Sequence, residues 1–397
     1  MTQATRRTWT ARLAVARPEM PLLVVLGAGL LIAPNPLWAM LFYLGVLPIW
    51  GVRLARRAAW PTDAGTLAGI ALILWFTLTT AWDVSAGAAG FGHLLWVWNG
   101  LCTLVFFVAA RIAFDAERRD RLVTLLLGCA LANAAVAFVR LVVVGAAEGR
   151  MAGWAETRHP ILGASIMGVC VLLAAGRLLD GRSRVLAGAA VVAGLSFIVL
   201  TGSRGPLIAI AAALALLLLA TRPRRLLAAV ALAATALGAL ALGWPARLSD
   251  AWERLMQRGW SSRLDIWRLA LHESAERPLF GHGPAARLDR TSDNFPHDLF
   301  LSTLFYSGAV GLILLLLVLV LATRAALRQP DRVARWTLLA LLAHIVLSGL
   351  TDLSQITKGP SPLWYIVWLP LALALGSGFR AADARARADR PADYLPA

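Results

Sequence analysis

Arginines and histidines at the ends of apolar runs hold most of the chemistry open to this chain. Arg204 stands in Thr201-Gly202-Ser203-Arg204-Gly205-Pro206, a turn between two apolar runs. The turn is too short to carry Arg204 away from the hydrocarbon boundary. A charge near a bilayer centre costs roughly 2.5–3.5 kcal/mol, so such an arginine either snorkels to the interface or meets an anion. Pro206 suits the first turn of a helix. A guanidinium beside a helix N-terminus suits a phosphate. Arg263 opens an amphipathic segment, Ser262-Arg263-Leu264-Asp265-Ile266-Trp267. Here two readings stand, a solvated face and an anion contact. His297 lies between Pro296 and Asp298, at the start of the apolar run Leu299–Ala322. A neutral imidazole there can take a proton from a hydroxyl, or it caps the helix.

Further candidates surround these three. Arg158 and His159 precede Pro160 at the start of another run, where substrate contact and simple helix-start polarity fit equally. Arg140 lies within a run toward its end, and Arg150 follows it. With Asp298, these five are candidate substrate contacts. Such a set suits an anionic, lipid-carried substrate. It does not suit a metal: Asp83, Glu148, Glu156, Asp265, Asp293 and Asp352 are scattered among arginines, without an Asp-x-Asp pair. Neither a metal nor another cofactor is expected. Cys102, Cys129 and Cys170 fall inside apolar runs and read as small core residues.

The elements that position these residues are membrane helices. The chain has 397 residues, 59% hydrophobic and 15% charged, the balance of a polytopic all-α membrane protein. It reads as a single integral membrane domain over 1–397. Twelve apolar runs lie near 20–33, 37–52, 64–82, 93–110, 122–145, 160–179, 185–201, 205–220, 226–244, 298–322, 333–350 and 361–379. A span needs about 20 apolar residues. The first run is short and broken by Pro34 and Pro36, so a hairpin with the second is an alternative to two spans. No stretch reads as a cleaved signal peptide; the N-terminal arginines form a basic flank.

The net charge of +16 does not point to nucleic acid, because the basic residues sit in short clusters between runs. With both termini cytoplasmic, clusters such as Arg53-Arg56-Arg57, Arg118-Arg119-Arg121, Arg182-Arg184 and Arg328-Arg332-Arg335 all fall on the cytoplasmic side. Residues 245–297, between the ninth and tenth spans, then form one large periplasmic loop. In it Leu264, Trp267 and Leu271 share one face of an expected amphipathic helix capped by Ser262, broadened by Ile266, Leu269 and Ala270.

The ordered set of motifs resembles the bacterial O-antigen ligase family, within the O-antigen ligase/polymerase superfamily. The set is Gly202-Ser203-Arg204-Gly205, Ser262-Arg263-x-x-x-Trp267, Pro278-Leu279-Phe280-Gly281-x-Gly283, His297-Asp298-x-Phe300-Leu301 and Gly308-x-x-Gly311. The likeness covers about residues 145–375. It implies a metal-independent inverting glycosyltransferase of the bacterial inner membrane, with its active site on the periplasmic face. The implied donor is an undecaprenyl pyrophosphate-linked glycan and the implied acceptor is lipid A–core. By motif, His297 takes the catalytic histidine position, and Arg204 and Arg263 take two essential arginine positions. Two departures stand out: Asp298 where the family often has asparagine, and Ser307 where an acid commonly precedes the glycine.

Neighbouring readings share these residues. An O-antigen polymerase or a protein O-oligosaccharyltransferase would use the same donor. A lipid-linked glycan transporter or flippase belongs to another class, but such folds usually show two related halves with ionisable groups at mid-membrane. Here the loop is off-centre and the arginines gather at one face.

Overall fold

The computed structural model describes residues 17, 19–32, 35–56, 60–83, 91–145, 150–222, 261–288 and 295–376. All regular structure among them is helical. We label the helices α1 (Met20–Leu31), α2 (35–55), α3 (Ala64–Leu78, extended by a 3-10 turn to Trp82), α4 (Phe91–Ala113) and α5 (Ala116–Val143). Then come α6 (Pro160–Leu179), α7 (Arg184–Leu200), α8 (Arg204–Thr221), α9 (Ser261–Glu276), α10 (Leu299–Leu327), α11 (Arg332–Gly349) and α12 (Trp364–Gly376). Eleven of the twelve expected runs correspond to helices. The ninth, near 226–244, and the first part of the expected loop lie outside the described residues. Among the described residues, eight helices are long and apolar enough to cross a membrane, and the chain is a multi-pass membrane protein. α1, α7 and α12 are shorter. α1, with 12 residues, spans only about 18 Å at 1.5 Å per residue, less than the roughly 30 Å hydrocarbon core. It is buried within the bundle from Leu22 to Leu30, apart from Val24.

Helix starts follow local chemistry. Asp63, Asp115, Asp298 and Asp331 each accept a hydrogen bond from the backbone N–H three residues on, the usual way of satisfying an orphan donor. α6 is the central helix, buried from Gly163 to Arg177. Its small residues let neighbours approach closely. Gly168 faces the His344 ring on α11, and a Cβ there would lie 2.8 Å from Cε1. His344 Nε2 meets Ser165 O at 3.0 Å, which makes it a packing residue. The three cysteines are free and buried, as expected of core residues.

The bundle has two distinct ends. At one, acids and arginines pair: Arg111 with Asp63 at 3.1 Å, Arg177 with Asp120 at 2.6 Å, and Arg118 and Arg121 with buried Glu19. At the other lie the ends of α3, α7 and α11, the starts of α6, α8 and α10, and all of α9. Every candidate site residue sits at this second end.

α10 is broken within its length. Gly308 has φ 68° and ψ −171°, outside the helical region. The break frees backbone groups that the Pro278–Gly283 segment satisfies. His282 N and Gly283 N donate to Phe305 O and Tyr306 O, each at 2.9 Å, and Ala309 N donates to Pro278 O at 2.8 Å. Trp75 Nε1 on α3 donates to Ser307 O at 2.9 Å. Non-helical backbone at membrane depth survives only where protein supplies such partners.

Candidate functional site

The turn between α7 and α8 is the base of the site. Gly202, at φ 61°, reverses the chain. Arg204 then begins α8 directly after Ser203. Its Nη2 is buried and makes no hydrogen bond among the described residues. A charged donor left without a partner costs at least the 1–3 kcal/mol of a neutral one, so this atom invites an anion. Gly205 lies against the segment after α11: a Cβ on it would come within 2.2 Å of Asp352 Oδ2 and 2.4 Å of Thr351 Oγ1. Only glycine allows that approach.

The same two residues hold Arg263. Its Nη1 donates to Thr351 O at 2.8 Å and its Nη2 to Asp352 Oδ1 at 2.5 Å. The Asp352 side chain is 2% exposed and that of Arg263 35%. Burial raises the pKa of Asp352 above the usual carboxylate range, opposed first by the charge of Arg263. The upward direction wins despite the short ion pair because desolvation exceeds the gain from a partly exposed partner. Two of the five guanidinium N–H groups are used here, leaving Arg263 with donors to spare. Arg150 is fixed beside them, with Nε donating to Thr201 O and Nη2 to Ser203 Oγ, each at 2.9 Å. Its charge acts on both Asp352 and His159. Burial and then Arg150 push the pKa of His159 down. Its Nδ1 caps α6 by accepting from Leu162 N at 3.4 Å.

His297 and Asp298 lie next to this cluster. Trp267 on α9 donates to Pro296 O at 3.0 Å, tying the arginine-bearing helix to the residue before His297. Gly349, just before Thr351, would place a Cβ 3.1 Å from Leu299 Cβ. His297 has φ 51°, a left-handed backbone that costs a non-glycine residue of order 1–3 kcal/mol and that clusters at functional sites. Its ring is half-buried, 4.7 Å from that of Phe295. Asp298 caps α10, accepting from Leu301 N at 2.7 Å. Burial raises its pKa, opposed by backbone hydrogen bonds.

Arg140 and Arg158 are placed differently. Arg140 is exposed, donates to Gly153 O at 3.3 Å and stacks its cation over Trp154 at 5.5 Å. Arg158 is exposed near Glu156. Arg140 braces the segment between α5 and α6, on which Arg158 itself sits, and among the described residues no contact draws either into the cluster.

The loop helix packs through the Ile266–Ala270 side of its expected face. Ile266, Ala270 and Ser274 are buried against the bundle, while Leu264 is 42% and Leu271 55% exposed. The reason is the pair of anchors: with Arg263 on Asp352 and Trp267 on Pro296, only the 266–270–274 stripe can face α10. The side chain of Ser262, the expected cap, lies outside the described residues. Asp352 is the site residue that the sequence reading passed over as one scattered acid. A carboxylate just past an apolar run needs a cation, and that signal was present.

This convergence of separately encoded motifs agrees with comparison to known proteins. A sequence model of the O-antigen ligase family matches residues 189–316, which include the Arg204 turn, α9 and the His297 junction. An O-antigen ligase of Pseudomonas aeruginosa is 30% identical over 279 residues, covering 68% of this chain and 67% of that protein. The chain belongs to the O-antigen ligase family. One chain of a solved peptidoglycan synthase complex aligns over 81% of this chain and 98% of its own length. Its 18% identity and TM-score of 0.43 are too slight to bear on fold or function. Within the O-antigen ligase family frame, the arginines supply the positive charge of the site. Among the described residues, no group of three or more His, Cys, Asp or Glu is placed to hold a metal ion.

Proposed function

We propose that this protein is an O-antigen ligase of the bacterial inner membrane. It transfers polysaccharide from undecaprenyl pyrophosphate to lipid A–core at the periplasmic face, without a metal. The observation that carries the reading is Arg204 Nη2, buried and without a hydrogen bond among the described residues, near a second arginine whose donors are only partly used. That is a preorganised anion site, and a pyrophosphate fills it.

In this reading Arg204 and Arg263 grip the pyrophosphate and stabilise charge on it as it leaves. The acceptor hydroxyl oxygen attacks the anomeric carbon from the opposite face. The new C–O bond forms as the bond to pyrophosphate breaks, and the hydroxyl proton passes to the His297 imidazole. Undecaprenyl pyrophosphate departs, and the anomeric centre is inverted. Asp352 positions Arg263, and Arg150 fixes the turn that presents Arg204. In this reading His159 and Asp298 face the glycan, and Arg140 and Arg158 act through the segment that carries His159.

Purified protein, lipid-linked donor and lipid A–core, with and without EDTA, provide the test. Expected is glycan transfer to lipid A–core that survives chelation. Chain extension on the carrier without transfer to lipid A–core would replace this reading with a polymerase. Loss of transfer in EDTA with recovery in magnesium would remove the arginine-only account.

A further inference from the structure

An open apolar groove of about 700 Å³ lies at the site end of the bundle, on the far side of α10 from Arg204. We propose that it seats the acyl chains of the acceptor glycolipid, with Arg277 at its mouth engaging the phosphorylated head group. The proposal rests on the ligase reading and adds a place for the second lipid substrate.

One wall is α3. Trp75, Leu78 and Trp82 line the groove at i, i+3 and i+7, so they share a helix face. Seven residues span about 10 Å of helix, so the groove runs from the end of α3 well into the apolar zone. The other wall is Pro278–Gly281. The rings of Trp75, Trp82 and Phe280 lie 5.8–6.0 Å apart, centroid to centroid. This wall is held from behind, because the same segment fills the break in α10. The size and lining are those of a preformed site for an apolar ligand.

The charge at the mouth selects an amphiphile. Arg277 is exposed, and its Nη1 makes one long contact, 3.5 Å to Trp82 O. It therefore remains open to a phosphate. Glu276 also lines the groove and suits sugar hydroxyls as an acceptor. An apolar slot below a cation and a carboxylate matches a phosphorylated, acylated sugar.

The position chooses acceptor over donor. α10 packs between α3 on one side and α11 on the other, and α8 packs along α11. The Arg204–Arg263 cluster belongs to the α8–α11 flank and the groove to the α3 flank. His297 stands at the tip of α10, between them. In an inverting displacement the nucleophile and leaving group occupy opposite faces of the anomeric carbon. A donor pyrophosphate on the α8–α11 flank therefore requires the acceptor to arrive from the α3 flank.

Leu78→Trp fills the groove, and Arg277→Glu reverses the charge at its mouth. With lipid A–core as acceptor, each variant is expected to raise the acceptor KM by about tenfold or more, equivalent to about 1.4 kcal/mol. Donor affinity and kcat at saturating acceptor are expected to stay within about twofold. A fall in donor affinity instead would give the groove to the isoprenoid chain and overturn the proposal. No change in any parameter would leave it to bulk lipid and overturn it equally. Retention of lipid A–core by the purified protein, read by native mass spectrometry, is a readout independent of transfer. Retention lost in Leu78→Trp supports the groove even if the glycan is not transferred, in which case the ligase reading alone fails. Leu78→Phe, a smaller filling, is the control for misfolding and is expected to show an intermediate KM.

Discussion

Asp352 holds Arg263 across 89 residues of sequence, at 2.5 Å, from a position almost closed to solvent. The pair joins the loop helix α9 to the segment after α11, against which Gly205 of the Arg204 turn also packs. Removing one member of a buried pair leaves the other uncompensated. Arg263 is about a third exposed, so screening reduces that cost to about 1–3 kcal/mol.

Asp352→Asn is therefore expected to weaken donor binding through Arg263, although Asp352 itself holds no substrate, with a modest fall in thermal stability. The double variant Arg263→Met with Asp352→Leu is expected to recover stability but not donor binding. Donor affinity and melting temperature, measured on both, separate these effects. Recovered binding in the double variant would show that Arg263 serves the fold alone.

Arg204 and His297 are expected to fail differently. Lysine at 204 keeps the charge but loses the planar fork, so Arg204→Lys lowers donor affinity and turnover together. His297→Ala leaves donor affinity nearly unchanged and lowers single-turnover rate by roughly 10²–10⁴-fold. If His297→Ala instead loses the donor but turns over normally what it binds, the imidazole is a ligand, and Asp298 and His159 become the next candidates for the base.

Gly281 and Gly308 fit into each other's space. A Cβ on Gly281 would lie 2.5 Å from Ser307 N, and one on Gly308 would lie 2.2 Å from Leu279 O. Both have positive φ, 70° and 68°. Alanine at either meets backbone and an unfavourable dihedral at once. Each single substitution is expected to cost more than the ordinary ~1 kcal/mol of a point change and to lower folded yield in the membrane. Thermal melts of detergent-solubilised protein provide the measurement; an unchanged melt for Gly308→Ala would mean that the break is not held by this fit.

Glu156, in the segment between α5 and α6, has a pKa raised by burial to about 7, opposed by Arg158. A folded pKa above the unfolded value means that the folded state holds its proton more tightly. The associated stability is full below about pH 4.5 and is lost as pH rises through about 7. At one pKa unit per ~1.4 kcal/mol, Glu156→Gln is expected to stabilise the protein by about 2–3 kcal/mol at pH 8 and by little at pH 5. Melting temperatures at the two pH values test this, and an equal gain at both would show that Glu156 has the same pKa in the folded and unfolded states.

Much of this was legible because helix limits are local. The run read at 160–179 is Pro160–Leu179, and that at 333–350 is Arg332–Gly349. Apolar length and an N-terminal cap fix such boundaries without reference to the rest of the chain. The turn at Arg204 and the junction at His297 were legible for the same reason, as charges placed at run ends. The break in α10 was not: Leu299 to Ala322 reads as one apolar run, and the facing Gly281 segment explains why the helix breaks at Gly308. Of the apolar face expected on α9, Ile266 and Ala270 pack inward while Leu264 and Leu271 stay exposed, because two polar anchors decide the rotation. Pairing between Arg263 and Asp352 depends on a contact that composition does not encode.

The break in α10 also fixes where the protein can be divided. The stretch Leu299–Ser307 shares its hydrogen bonds with Pro278–Gly283, while the stretch after Gly308 runs on as membrane helix. The structural border of the loop therefore lies inside a helix, some ten residues beyond the point where hydropathy would draw it. A chimera that exchanged acceptor preference between relatives by swapping 261–297 would leave two mismatched halves of one joint. Carrying the swap through Gly311 would transfer the joint intact.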